Sequence, residues 1–313
     1  MKYLPHKAYL QSGTRAYLRD CSIRLLSSLR VGKFLTLLTQ FFSGSQKTSG
    51  TNKSYSPTLL DATKIAIFAH YSEQVKISSS DAYLVSQLKD SGFAVIISTT
   101  CTDDFTQHQQ LWDQWRHKID GLITRRNTGF DFGSWSAAIT SLQNHRGDIE
   151  QIILINNSLY GPLFPLKPII EGLALRGDFF GLTASREFCP HLQSYFLGFN
   201  KVVIDHPDFH DFWSDSFSGN SKWLTIFKRE LAWENFFIKR GFKSAVLIET
   251  TRNFSRNPLT FLWKDLITQG FPFMKKSLLT HNYDSIDMTH WEDFLMTECP
   301  QFEVSLVVQD RKY

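Results

Sequence analysis

The sequence predicts an α/β fold in which helices cover a mostly parallel sheet. Two observations indicate it: short apolar runs alternate with helical stretches from Lys64 onward, and Gly92 stands where a helix would end. Such alternation is typical of βαβ units, whose crossover helices cover the faces of a parallel sheet. The 313 residues allow one such domain of roughly 200–250 residues together with appendages.

The predicted elements follow one another in a regular order. KIAIFAHY is predicted as a strand, DAYLVSQLKDSG as a helix and FAVIISTT as a second strand. Further strands are predicted for DGLIT, QIILI, FFGLTAS and QSYFLGFNK, with a helix that begins near Ser134 between the first two. TIFKRELAWENFFIKRGF is predicted as a long helix that stops at Gly241.

Charge divides the chain into a basic N-terminal segment and a slightly acidic body. Residues 1–60 carry nine Lys and Arg against the single acid Asp20, although the net charge of the whole chain is only +4. A nucleic-acid binder usually spreads its basic residues over the folded face, so we expect no nucleic acid as the principal ligand. Hydrophobic residues make up 42% of the chain, which excludes global disorder.

Residues 1–60 are predicted to form a basic amphipathic arm with a flexible linker. Over residues 14–42, leucines and phenylalanines recur at near-helical spacing with arginines between them. Two interpretations stay open: a helix that lies on anionic lipid, and a helix that packs on the domain and keeps its cations in water. Residues 43–58 are rich in Ser, Gly, Thr and Lys, which is typical of a linker and places a domain boundary near residue 60.

We expect the protein to be neither an integral membrane protein nor exported. No apolar run approaches the roughly 20 residues that cross a bilayer, and the first 20 residues lack an uninterrupted apolar core. The four cysteines form no C-x-x-C motif, which fits a reducing compartment. We therefore expect a cytoplasmic protein, either free or peripheral on the inner face of the cell membrane through residues 14–42.

Two polar segments directly follow predicted strands, and ligands of open α/β sheets bind beyond the carboxyl ends of the strands. Residues 125–133 offer two guanidinium groups for phosphate, glycines for close backbone approach and the start of a helix. Residues 156–162 offer three small polar side chains that can bind sugar or ribose hydroxyls. The structural alternatives stay open: Asp131 as a helix cap in a simple loop, and an ordinary Asx or Ser turn.

Five motifs stand in a fixed order over roughly residues 62–281. RNTGFDFGSW is followed by ILINNSLYGPL, HLQSYFLGF, a helix that ends in Arg-Gly-Phe, and GFPFMKKSLL. This ordered set resembles the rhamnan synthesis protein F family of bacterial cell-surface polysaccharide assembly. The resemblance implies a GT-A-like Rossmann-type domain over residues 61–281, followed by a C-terminal tail at 282–313.

The same resemblance implies an activity and its partners. It implies a glycosyltransferase that moves a deoxysugar, such as rhamnose, from a nucleoside-diphosphate donor to a cell-surface polysaccharide such as lipopolysaccharide O-antigen. A lipid-linked glycan would be the acceptor. The alternative is a non-catalytic subunit that binds a nucleotide sugar or a glycan. A hydrolase is the third hypothesis. It is disfavoured because the sequence contains neither G-x-S-x-G nor H-E-x-x-H.

The resemblance extends more remotely to the large inverting GT-A transferases, which hold a metal–diphosphate complex on an Asp-x-Asp at a strand end. Asn127 and Gly129 match their Asn-x-Gly loop, whereas Asn156, Asn157 and Ser158 stand in place of the Asp-x-Asp. Because the carboxylates are absent, we assign no metal ligand. A divalent cation, Mg²⁺ or Mn²⁺, stays open as a cofactor.

Two carboxylates are the predicted catalytic residues. Glu230 stands eleven residues before Gly241, about where the remote family places its catalytic base, and is predicted to accept the acceptor proton. An exposed helix carboxylate is the alternative for Glu230, whereas Asp131 is predicted to orient the sugar. Lys276 is a further candidate cation for the diphosphate. The predicted substrate contacts are Arg125, Arg126, Asn127, Gly129, Gly133, Asn156, Asn157, Ser158, Tyr160, His191, Gln193 and Lys275.

Overall fold

The structure is a computed structural model. It describes residues 2–3, 53–55, 62–72, 77–100, 113–142, 149–187, 189–214, 229–251 and 254–310. The predicted amphipathic helix at residues 14–42 lies outside the described residues, so its membrane interpretation stays a prediction. Within the predicted linker, residues 53–55 form a strand at the edge of the sheet.

The strands form a ten-stranded sheet and a two-stranded ribbon. They are β1 Lys2–Tyr3, β2 Lys53–Tyr55, β3 Lys64–Tyr71, β4 Ala94–Thr100, β5 Gly121–Arg125, β6 Gln151–Asn156, β7 Leu159–Tyr160, β8 Phe179–Ser185, β9 His191–Leu192, β10 Phe196–Asn200, β11 Ser244–Glu249 and β12 Met274–Lys275. The order in the sheet is β1-β11-β8-β10-β6-β3-β4-β5-β2, with β9 paired to β8, and β7 pairs with β12 in the ribbon.

Most neighbouring strands of the sheet are parallel. β6, β3, β4 and β5 are parallel to one another, β8 is parallel to β11, and β10 runs antiparallel between β6 and β8. This confirms the predicted mostly parallel sheet. Seven of the described strands therefore end at one edge of the sheet, and their last residues are Tyr3, Tyr71, Thr100, Arg125, Asn156, Ser185 and Glu249.

The helices lie between the strands and after them. They are α1 Ser79–Asp90, α2 Phe130–Ser141, α3 Leu166–Ala174, α4 Lys201–Ile204, α5 Pro207–Ser214, α6 Trp233–Ile238, α7 Pro258–Phe261, α8 Trp263–Thr268, α9 Ser277–Thr280, α10 Trp291–Glu298 and α11 Ser305–Asp310. None of the helices in the described ranges is long and apolar enough to cross a bilayer.

The central strand β3 faces two separate apolar cores. Ala66 and Phe68 pack with residues of α1 and α3, whereas Ile65 and Ile67 pack with Trp135 of α2 and with aromatic residues of α5 and α6. Because both faces are covered by helices, every second residue is buried on one side and the rest on the other. This explains why the strand reads as an uninterrupted apolar run.

The predicted long helix before Gly241 is present only in part among the described residues. Residues 229–230 form a single wide turn, Leu231 and Ala232 form a tighter one, and only α6 is a regular helix. Ala232 keeps helical backbone angles, so the irregular turn runs directly into α6, and Gly241 has a φ of 89° where the helix is predicted to end.

The residues predicted as a C-terminal tail pack onto the sheet domain over their described part. Asp310 accepts hydrogen bonds from the backbone N–H of Ser79 (3.1 Å) and Ser80 (3.3 Å) at the start of α1, where a carboxylate is favourable. Six residues of this segment belong to a third buried cluster: Trp291, Leu295, Cys299, Phe302, Val304 and Val307.

Candidate functional site

The two polar strand-end segments meet through Asn156 and Asp131. Asn156 is the last residue of β6, and its Nδ2 donates a hydrogen bond of 2.8 Å to Oδ2 of Asp131 in the first turn of α2. β5 and β6 are separated by β3 and β4, which at ordinary strand spacing is about 14 Å. Helix α2 packs on β3 and β4 and so carries Asp131 back from β5 to the end of β6.

Helix α2 begins one turn earlier than the sequence predicts. It starts at Phe130 instead of near Ser134, and Gly129 precedes it with a φ of 74°. Glycine adopts this left-handed conformation without steric cost, so the chain can turn directly from the loop into the helix. Asp131 therefore lies within the first helical turn, where the helix dipole favours its negative charge.

Arg125 holds the loop before α2 together. Its guanidinium donates to the hydroxyl of Ser134 (3.0 Å) and to the carbonyl of Thr128, and it is 7% exposed. Burial lowers the pKa of Arg125 to about 10, although the nearby Asp131 charge opposes the shift. The structure thus places Arg125 inside the loop as a positioning residue. A Cβ on Gly133 would overlap both the Thr128 carbonyl and the Arg125 guanidinium.

Arg126 and Asn127 lie at the surface of this loop. Arg126 is exposed and Asn127 follows it, directly after the buried Arg125. Successive side chains of a strand point to opposite sides, which explains why two neighbouring arginines have different surroundings. Arg126 is accordingly the arginine of the pair that a solvent-borne phosphate can reach.

Asn156 organises the turn that follows β6. Its Oδ1 accepts hydrogen bonds from the backbone N–H (3.2 Å) and the hydroxyl (2.6 Å) of Ser158. Asn157 donates from Nδ2 to the carbonyl of Tyr71 at 2.8 Å, and the Tyr71 side chain is half exposed at the end of β3. Asn156 therefore forms an Asx turn. The same side chain positions Asp131, and Ser158 is exposed to solvent.

The ribbon of β7 and β12 places Lys275 and Lys276 beside the turn that follows β6. Lys275 pairs with Leu159, and the backbone N–H of Lys276 donates to the Ser158 carbonyl at 2.8 Å. The Lys276 ammonium turns inward and lies 5.3 Å from the ring centre of Tyr160. Tyr160 is buried, so the structure places this predicted substrate contact in the interior, whereas Lys275 is half-buried beside the strand end.

His191 and Gln193 lie near the strand ends on or beside β9, and both are buried. Nδ1 of His191 donates to the Cys189 carbonyl at 2.8 Å, and burial lowers the pKa of His191, which keeps the ring neutral. Gln193 accepts a 2.8 Å hydrogen bond from Thr183, which also bonds the Tyr195 hydroxyl at 2.7 Å. Gln193 thus belongs to a buried polar network behind the site.

A cleft of about 220 Å³ lies beside β9. Its lining includes Glu234 of α6 and Glu249, the last residue of β11. Burial raises the pKa of Glu234. Glu230, the predicted base, lies four residues earlier in the turn before α6 and is half-buried.

Sequence reasoning missed Glu234 and Glu249. Glu234 lies in the same segment as Glu230, before Gly241, but the spacing to Gly241 that the resemblance uses selects Glu230. Glu249 ends an apolar run, SAVLIE, and the position of a polar residue at the end of such a run is the signal that could have found it.

The residues at the end of β6 do not form a strong site for a divalent cation. They supply two amides, one hydroxyl and the single carboxylate of Asp131, whereas Mg²⁺ and Mn²⁺ sites are built on carboxylates. Among the described residues, no group of three or more His, Cys, Asp or Glu could hold a metal ion. We therefore derive no reaction step through a metal.

The sheet with its joined polar strand ends is an open α/β fold, in which ligands bind beyond the carboxyl ends of the strands. The family RgpF, rhamnan synthesis protein F, matches residues 95–312, and the chain belongs to this family. The match extends beyond the motifs that end at residue 281 and includes α10 and α11.

Known proteins resemble the chain to different degrees. Virulence protein VirA of Vibrio anguillarum is 30% identical over 196 residues, which cover 52% of this chain and 63% of VirA. The chain thus spans less than two thirds of this relative. The structure of S. aureus TarS 1-349 in complex with UDP aligns with a TM-score of 0.38 and 10% identity over 77% of this chain and 73% of that one. A 4-diphosphocytidyl-2C-methyl-D-erythritol synthase from Anaerococcus prevotii aligns with a TM-score of 0.34 and 9% identity over 66% and 97% of the two chains.

Proposed function

We propose that the protein is a glycosyltransferase that moves a deoxysugar, with rhamnose as the first candidate, from a nucleoside diphosphate to a growing cell-surface polysaccharide. The hydrogen bond between Asn156 and Asp131 is the observation that carries this proposal. It joins two strand ends at the sheet edge where α/β proteins bind nucleotides. Family membership supports the same activity.

Positive charge at the ends of β5 and β6 suits a departing diphosphate. Arg126 is exposed and Lys275 is half-buried near Ser158, so these two cations are the proposed diphosphate contacts. Backbone N–H groups at the start of α2 add a favourable dipole. Arg125 and Lys276 act indirectly, because their charged groups bind Thr128 and Asp81 within the protein.

The sugar is proposed to lie between the two strand ends. Asp131, held by Asn156, would orient its hydroxyls, and Asn127, Asn157 and Ser158 would supply further hydrogen bonds. The glycines of the loop serve its geometry: Gly129 turns the chain into α2 with a φ of 74°, and Gly133 leaves space for the Arg125 guanidinium.

Transfer then needs one bond exchange and one proton acceptor. The bond from the anomeric carbon to the diphosphate oxygen breaks, and the diphosphate leaves with the electron pair. An acceptor hydroxyl oxygen bonds to the same carbon, and its proton passes to a carboxylate. The sequence predicts Glu230 for this carboxylate, and the structure adds Glu234 of α6 as a second carboxylate of the same segment.

A single carboxylate at the β6 end favours a second candidate function, a non-catalytic subunit that binds a nucleotide sugar or a glycan. Incubation of the full chain with nucleoside-diphosphate rhamnose and a lipid-linked acceptor distinguishes the two. A glycosylated product supports the enzyme. Donor binding without product over a range of Mg²⁺ and Mn²⁺ concentrations supports the subunit.

A lipid-linked acceptor would place the reaction at the inner face of the membrane, and the basic segment at residues 14–42 is the proposed contact with anionic lipid. Co-sedimentation with vesicles of anionic and of neutral lipid tests this. Charge reversal of Arg24 and Arg30 should reduce binding to anionic vesicles about tenfold or more, because each basic residue contributes about 1 kcal/mol there. Unchanged binding would make this segment a packing element.

A further inference from the structure

The cleft beside β9 has the size of a site for one saccharide unit. It measures about 220 Å³, below the roughly 300–1,000 Å³ of pockets that hold drug-sized ligands. Polar groups come from β8 and the residue after it, β9, α6 and β11, and the exposed Ile238 side chain lies at one side. The lining residues that matter are Arg186, His191, Glu234, Asn235, Ile238 and Glu249.

This cleft opens at the same edge of the sheet as the proposed donor site. Leu192 of β9 pairs with Ala184 of β8, and β10 lies between β8 and β6. The backbone N–H of Asn156 donates to the Tyr195 carbonyl, in the turn from β9 to β10, at 3.2 Å. The strands that line the cleft are thus one to three strand spacings from β6, about 5–14 Å.

The charges in the cleft select against a phosphate ligand. Arg186 lies 3.5 Å from Glu249, so its positive charge is balanced by this carboxylate. His191 is neutral because burial lowers its pKa. Glu234 adds a further acidic group, and the described lining is therefore neutral to negative. A neutral ligand with many hydroxyls suits this lining, whereas a diphosphate would be repelled.

Glu234 is held in a defined position. Its Oε2 accepts a hydrogen bond of 2.7 Å from the backbone N–H of Leu192. The indole N–H of the neighbouring Trp233 donates to the Leu192 carbonyl at 3.3 Å. Both backbone polar groups of Leu192 are thus hydrogen-bonded to side chains of α6, which hold this helix against β9. A general base needs a fixed position of this kind.

We infer that this cleft binds the acceptor saccharide and that Glu234, rather than Glu230, is the catalytic carboxylate that takes the proton of the attacking hydroxyl. The inference rests on the proposed transferase function. The acceptor oxygen bonds to the anomeric carbon as the bond to the diphosphate breaks, the proton moves to Glu234, and the electron pair leaves with the nucleoside diphosphate. Burial, which raises the pKa of Glu234, makes this carboxylate a stronger base than a solvated one.

Glu234→Gln and Glu230→Gln form a matched pair for the test on the full chain. Both replace a carboxylate by an amide of the same shape, four residues apart in one segment. We expect Glu234→Gln to reduce transfer at least ~100-fold with unchanged binding of UDP and dTDP, and Glu230→Gln to change transfer less than about threefold. The opposite result for the pair would overturn the assignment of the base.

Ile238→Trp tests the cleft without the reaction. Ile238 is exposed at the rim, so a larger ring there fills the cleft and leaves the core intact. Saturation-transfer NMR with the methyl glycosides of rhamnose, glucose and N-acetylglucosamine should show a signal for the parent chain that Ile238→Trp removes, while dTDP binding stays. A signal that persists in Ile238→Trp, or one that is absent from the parent chain, would contradict the assignment of this cleft to the acceptor.

The two proposals fail in different ways. If no donor yields product, the transferase function fails, and the glycoside measurement still decides whether the cleft binds a saccharide. If product forms and Ile238→Trp changes neither the glycoside signal nor the Michaelis constant for the acceptor, the transferase stands and this inference falls.

Discussion

The ammonium of Lys276 lies 2.8 Å from Oδ1 of Asp81 in an ion pair that is largely shielded from solvent. The pair connects the first turn of α1 to the residue after β12, and the Lys276 backbone in turn bonds the Ser158 carbonyl. His70 lies on the other side of the carboxylate, with Nε2 3.8 Å from Oδ2. The Lys276–Asp81 ion pair thus holds the residue that binds the Ser158 carbonyl, and Ser158 belongs to the proposed donor site.

Asp81→Asn should destabilise the protein by about 3 kcal/mol, because it leaves a buried ammonium without its countercharge. Urea unfolding measures the change. Asp205→Asn is the matched control, since Asp205 pairs with Lys201 on the surface and such pairs contribute about 0–1 kcal/mol. Equal effects of the two substitutions would show that the buried pair adds nothing to stability.

Gly133→Ala should weaken nucleoside-diphosphate binding about tenfold or more. The new Cβ would overlap the Thr128 carbonyl and the Arg125 guanidinium, so the loop that carries Arg126 and Asn127 must move. Titration with UDP or dTDP measures the effect. Gly172→Ala in α3 is the control, because a Cβ there would meet no atom within 4 Å and alanine stabilises a helix by roughly 0.5–1 kcal/mol over glycine. Binding that survives Gly133→Ala would remove this loop from the donor site.

Asn156→Asp should weaken donor binding and make it dependent on a divalent cation. The substitution replaces the amide that donates to Asp131 at 2.8 Å by a second carboxylate, and two such charges repel each other in a shared site. Titration of UDP in the presence of a chelator should show at least a ~10-fold loss, and Mn²⁺ should recover part of it because it is bound by paired carboxylates. If neither the chelator nor Mn²⁺ alters the variant's affinity relative to the parent chain, Asn156 does not face the donor.

Glu234→Gln should raise the melting temperature at neutral and alkaline pH. Burial raises the pKa of Glu234 in the folded state, so the folded chain holds this proton more tightly than the unfolded chain. Stability from Glu234 is therefore complete below the ordinary glutamate pKa of about 4.3 and falls as the pH rises through the folded value. The increase in melting temperature that Glu234→Gln produces should vanish at about pH 4.

Melting curves of both chains at about pH 4 and about pH 8 measure this difference. Glu171→Gln on the exposed face of α3 serves as the control and should show no such dependence on pH. A variant that melts below its parent under the alkaline condition would mean that the carboxylate stabilises the fold, contrary to the expected cost of burying it.

Local patterns along the chain are sufficient to identify most of the elements. Apolar runs and glycine stops are local signals, and they correctly predict strands β3, β4, β6 and β8 and helix α1. The predicted start of α2 is displaced because Gly129 and Phe130 both have positive φ angles, a backbone path that no periodic pattern reports. The two polar strand ends are also identifiable from sequence, since residues after buried strands of a parallel sheet share one edge.

Which of several similar side chains face a ligand depends instead on how distant segments pack. Arg125 and Arg126 are neighbours in sequence, as are Lys275 and Lys276, yet Arg125 binds the Thr128 carbonyl and Lys276 binds Asp81. Asp81 is distant in sequence from Lys276, so no local pattern could report the pair. The physical reason is that a charge is buried only where a partner from another segment compensates it, and that partner is known only once the chain has folded.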